Sequence, residues 1–120
     1  MIFKASVNKD EFFKLHPKLR AIFCDAEWFT IQNYTRELTI SSMFRPKTDD
    51  SGVHETGRAL DISIHQYDPT GSRVVSTMSS YEIKDLVSWL NAKYKRNDPF
   101  LTAKAHDAGS GLHIHLQVPV

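Results

Sequence analysis

The segment Ala59-Leu60-Asp61-Ile62-Ser63-Ile64 sets Leu60, Ile62 and Ile64 against Ala59, Asp61 and Ser63 in strict alternation. That is the two-residue period of a strand with one apolar and one polar face. An aspartate in the middle of such a strand is disfavoured by strand propensity and costly to desolvate alone, so Asp61 needs solvent, a partner or a cation. The same period returns in Leu112-His-Ile-His-Leu-Gln-Val118, with His113 and His115 on one face and Leu112, Ile114, Leu116 and Val118 on the other. Two imidazoles at i and i+2 on a rigid strand point the same way, a common means of presenting nitrogens to a metal. His54 lies in the loop entering the first of these strands, and Gly57 supplies the positive φ that a tight loop-to-strand bend requires.

Outward from these two strands, Glu37 to Arg45 also alternates, Leu38, Ile40, Ser42 and Phe44 against Thr39, Ser41, Met43 and Arg45, and Pro46 ends it. Lys47 to Gly52 reads as a polar loop. The turn signal Asp68-Pro-Thr-Gly71 predicts that Arg73–Thr77 returns as a hairpin partner. Phe100–Ala105 and Leu112–Val118 read as two strands joined by the loop His106-Asp-Ala-Gly-Ser-Gly111. Phe12, Leu15, Leu19, Ile22, Phe23, Ala26 and Phe29 recur at helical spacing, with a break predicted at His16 and Pro17 opening a second helix. Ile83, Leu86, Val87, Leu90 and Tyr94 follow a capping box of Ser79 and Glu82 and mark the best helix of the chain. The order of helices, strands, helix and strands predicts an α+β fold. It comprises a small antiparallel sheet carrying the metal-ligating residues, with N-terminal helices and one long helix packed on it, as one domain over residues 1–120.

With 120 residues, 41% hydrophobic and 24% charged, the chain has enough apolar surface for one core and too much charge for a membrane span. Fifteen Lys and Arg against fourteen Asp and Glu leave a formal charge of +1, which gives no electrostatic case for nucleic acid. Cys24 is the single cysteine and closes no internal disulfide. No apolar run precedes Lys9, Asp10 and Glu11, so synthesis in the cytoplasm without an N-terminal signal is expected, with action outside only after release by a phage-type lysis system. A monomer is expected. Several conspicuous side chains have plain readings: His16 at a helix boundary, His65 as an outward polar strand residue, and Trp28 and Trp89 as core or rim packing.

Ser51-Gly-Val-His54-Glu-Thr-Gly57-Arg-Ala59-Leu-Asp61 resembles the S-x-H-x-x-G-x-A-x-D motif of the zinc D-alanyl-D-alanine carboxypeptidases and L-alanyl-D-glutamate endopeptidases, within the hedgehog-type zinc peptidase superfamily. His113-Ile-His115 is similar to the family's closing H-x-H strand, and Ser42-Met-Phe-Arg45 to its Ser-Gly-Tyr-Arg segment. The three segments occur in the family's order between positions 42 and 118. The resemblance implies that His54, Asp61 and His115 hold Zn²⁺ and leave a fourth position for water, the arrangement of a catalytic zinc. It also implies that His113 stands beside the zinc, that Arg45 holds a substrate carbonyl or carboxylate, and that the substrate is a peptidoglycan stem peptide.

The chain departs from the family at three positions. Gly52 stands at the motif serine, Met43 at the usual glycine, and Leu112 where the family places a Glu or Asp general base. A leucine moves no proton, so the base is sought in His113 first, then Asp107, then His106. A zinc-binding recognition module that has lost the reaction is the alternative, and Leu112 is the residue that favours it.

Overall fold

In a computed structural model that describes residues 1–44, 54–107 and 111–119, the chain begins with strand β1 (Ile2–Phe3), a 3₁₀ turn (Lys9–Lys14) and helix α1 (Pro17–Tyr34). Strands β2 (Thr39–Ser42), β3 (Ala59–Ser63), β4 (His65–Tyr67) and β5 (Val74–Thr77) follow. Helix α2 (Ser80–Lys93) then leads to β6 (Ala103–Asp107) and β7 (Leu112–Gln117). The helix boundaries obey local chemistry. Pro17 occupies the first turn of α1, where its missing N–H costs nothing, and His16 caps it by accepting from the Lys18 amide at 3.1 Å. At α2 the Ser79 hydroxyl accepts from the Glu82 amide (3.1 Å) while the Glu82 carboxylate accepts from the Ser79 amide (2.9 Å), the reciprocal box expected from the sequence.

The main sheet has the order β1-β2-β3-β7-β6, and β4-β5 forms a separate hairpin. All neighbours in the main sheet are antiparallel except β1, which runs parallel to β2. The architecture is thus the α+β one read from the sequence, with a two-residue parallel edge strand too short to show a period. His106 and Asp107, expected in the loop, extend β6. Ile40, Leu60, Ile62, Ile114 and Leu116 are fully buried on one face of the sheet, packed in one cluster with Leu19, Ile22, Phe23 and Ala26 of α1 and Leu86 and Leu90 of α2. The other face carries the polar residues of the same strands.

One irregularity changes the reading of β2. Ile40 faces Ile62 but Ser42, not Ser41, faces Asp61, so one extra residue bulges between them. The bulge reverses the alternation beyond Ile40: Ser42 joins the polar face and Met43 turns inward, where it is 3% exposed. Gly71 fixes the hairpin to the sheet edge. Its carbonyl accepts from the Ala5 amide at 2.9 Å, its φ is +74°, and a Cβ there would collide with the Phe3 carbonyl oxygen and the Ala5 nitrogen. No helix among the described residues is long and apolar enough to cross a membrane.

Candidate metal centre

The β3–β7 register sets Asp61 directly opposite His115 and Ser63 opposite His113, all on the polar face. His54 enters from the turn before β3, where Gly57, at φ +74°, donates its amide to the His54 carbonyl at 3.2 Å. His54 is fully buried and Asp61 is 3% exposed, an uncommon place for two such groups unless they serve each other or an ion. One ligand atom each from His54, Asp61 and His115 lies within 4.8 Å of the others, so this group can hold a metal ion.

The outer partners of the imidazoles assign their inner nitrogens. His54 Nδ1 lies 2.6 Å from the Met43 carbonyl, an acceptor, so Nδ1 carries the proton and Nε2 turns its lone pair toward Asp61 Oδ1 at 3.4 Å. The Gln117 amide nitrogen donates to the Leu101 carbonyl (3.2 Å), which orients its oxygen toward His115 Nε2 at 3.1 Å. His115 Nε2 is therefore a donor, and Nδ1 presents its lone pair to Asp61 Oδ1 at 3.0 Å. His113 repeats the pattern, with Nδ1 toward the Gly111 carbonyl (3.2 Å) and Nε2 toward Asp61 Oδ1 at 3.6 Å. Lone pairs converging on a carboxylate oxygen repel one another unless protons or a cation lie among them. The separations match a cation: four ligands at ~2.1 Å in a tetrahedron stand about 3.4 Å apart. Imidazoles anchored on their far nitrogens by carbonyl oxygens are what metal-binding histidines require, since the outer bond fixes both ring and tautomer.

Burial alone would raise the Asp61 carboxyl; without a metal, protons shared onto the inner nitrogens of His115 and His54 and positive charge on His54 and His113 outweigh it and hold the group well below the usual carboxylate range, the part a cation would take when the rings are neutral. Asp61 is thus an anion in the folded protein, as a ligand must be.

The structure brings together four of the six site residues read from the sequence: His54, Asp61, His115 and, beside them, His113. Asp107 is placed apart from this cluster, exposed and opposite Leu112, with its Oδ1 accepting from the Gly111 amide at 3.3 Å. The β6 residue across from His113 is instead His106, their ring centroids 5.5 Å apart and nearly perpendicular. Arg45 and the motif serine positions Ser51 and Gly52 lie outside the described residues. His65 bonds Thr77 Oγ1 at 2.8 Å, away from the ligands, and Trp89 stacks on Phe29 at 4.6 Å as packing.

Two supports escaped the sequence reading. Gln117 falls on the histidine face of β7 and could have been found by continuing the alternation two residues past His115. The Met43 carbonyl leaves no side-chain signal. Comparison with protein-family models, curated proteins and solved structures finds no match to this chain.

Proposed function

We propose that this chain is a zinc peptidase that hydrolyses a peptide bond of bacterial peptidoglycan stem peptides, of the D-alanyl-D-alanine or L-alanyl-D-glutamate type. The observation that carries this reading is the convergence of His54 Nε2, Asp61 Oδ1 and His115 Nδ1 on one point of an open polar sheet face. Two neutral imidazoles and one carboxylate suit zinc, and three protein ligands leave a position for a reactant. When bound, zinc supplies a Lewis acid that activates water near neutral pH and polarises an amide carbonyl.

The chain's own residues do the rest. His113, with Nδ1 tied to Gly111, keeps Nε2 turned to the centre, where it can take the proton of the attacking water and return it to the leaving amine. His106 stands behind it at ring-contact distance, whereas Asp107 is occupied by the Gly111 amide. Arg45, on the family pattern, holds a substrate carbonyl or carboxylate. The resemblance of the three sequence segments supports the choice of a cell-wall peptide.

The test is release of new amino groups or free D-alanine from purified peptidoglycan by zinc-loaded protein, abolished in Asp61→Ala. A second reading, a zinc-binding recognition module without turnover, is favoured by Leu112, which sits 43% exposed where the family carries its carboxylate base. Protein that holds one zinc per chain and binds wall fragments without cleaving any would establish that reading. Protein that binds no zinc under ample supply overturns both.

A further inference from the structure

Beside the ligand set, the polar face of the sheet opens into a cleft of 270 Å³. Asp61, His113, Ser42 and Ser63 line it, and so do two residues outside the metal centre, Lys4 and Tyr67. Lys4 follows the edge strand β1, its amide donating to the Ile40 carbonyl at 3.0 Å, which places its backbone two strands from β3, or ~10 Å. Its half-buried side chain brings Nζ to 5.8 Å from the Tyr67 ring centroid, a cation–π contact that steadies the ammonium. Tyr67 is itself held by its amide donating to Thr39 Oγ1 at 3.1 Å. Among the described residues, Asp61 is the only carboxylate lining this cleft, and it is committed to the metal ligands. Among the described residues, the cleft therefore combines a fixed cation and serine hydroxyls with no other acidic side chain to neutralise the cation.

We infer that Lys4, backed by Tyr67, forms an anion subsite that binds a carboxylate of the peptide substrate at a distance from the scissile bond. An extended peptide advances ~3.4 Å per residue, so the carboxylate recognised lies roughly one to three residues from that bond. This makes the enzyme selective for acidic peptides over their amides. The inference rests on the peptidase reading above for the nature of the ligand, and on the cleft alone for the binding.

The experiment uses an N-acetylated tripeptide ending in D-alanyl-D-alanine, as the free acid and as the C-terminal amide. It is titrated into full-length zinc-loaded protein while backbone amide resonances near Tyr67 are followed by NMR. Wild type is expected to bind the acid about tenfold more tightly than the amide, the worth of one charge-assisted contact. Lys4→Gln should abolish the difference, Lys4→Arg should preserve it, and both should keep one zinc per chain. Equal binding of acid and amide by wild type, an acid preference that survives in Lys4→Gln, or no binding of either peptide overturns the subsite. A Lys4-dependent acid preference without cleavage of this peptide or of purified peptidoglycan leaves the subsite standing and removes the hydrolase.

Discussion

Gln117→Leu isolates the outer support of one metal ligand without touching the ligand itself. In the wild type the Gln117 oxygen holds the proton of His115 on Nε2 and so keeps Nδ1 open toward Asp61. Leucine removes that acceptor, at a cost of about 1 kcal/mol for the neutral hydrogen bond. More important, it frees the ring to carry its proton on Nδ1, where Asp61 Oδ1 waits 3.0 Å away. The metal-free variant then gains a charge-assisted bond of about 1.5–3 kcal/mol that any metal must break. The zinc dissociation constant should rise 10- to 100-fold, the range seen when supports of metal-binding histidines are removed. Competition against a chromophoric chelator at fixed pH measures it, and ¹⁵N chemical shifts of His115 report the tautomer. Gln117→Glu, which keeps an acceptor, should stay near wild type. A Gln117→Leu affinity within twofold of wild type would refute the tautomer argument.

Gly71→Ala should cost about 2–4 kcal/mol in urea unfolding, from left-handed strain and the forced separation of the hairpin from the Phe3–Ala5 backbone. A cost under about 0.5 kcal/mol would mean that the turn is not pinned there. Two tyrosines predict an alkaline limb of stability. The Tyr34 hydroxyl donates to Asp85 and is pushed up to about 12 chiefly by that bond, and Tyr94 is pushed up to about 12 by burial and its bond to Asp25. Folding favours the protonated phenols, so their contribution is complete below pH ~10, where unfolded tyrosine titrates, and is lost as pH climbs toward 12. The difference between wild type and Tyr34→Phe/Tyr94→Phe in unfolding free energy should shrink over that window. Parallel pH curves would contradict it.

Much of this was legible in the sequence because β3 and β7 each bury one face and expose the other, so period-two alternation states which residues share a side. Asp61, His113 and His115 follow from that rule alone. The alternation in Thr39–Met43 misled beyond Ile40, since a bulge inserts one residue at no cost in composition and no pattern of side chains announces it. That same bulge delivers the Met43 carbonyl to His54, so the unreadable irregularity and the unreadable ligand support are one event. The β1 strand was hidden by length, since two residues carry no period. Asp107 was proposed from proximity in sequence, but extension of β6 through it sets His106 across from His113 instead.

The pairing of β3 with β7 joins positions 54 residues apart, and an ion gripped by Asp61 and His115 would rivet them a second time. A protease that nicks the intervening stretch would therefore yield two fragments that still migrate as one particle until a chelator is added. Capture of the ion also has to wait for this distant closure, so the metal rewards only chains whose central strands have met in the correct register, since a one-residue slip would leave the two ligands on opposite faces of the sheet.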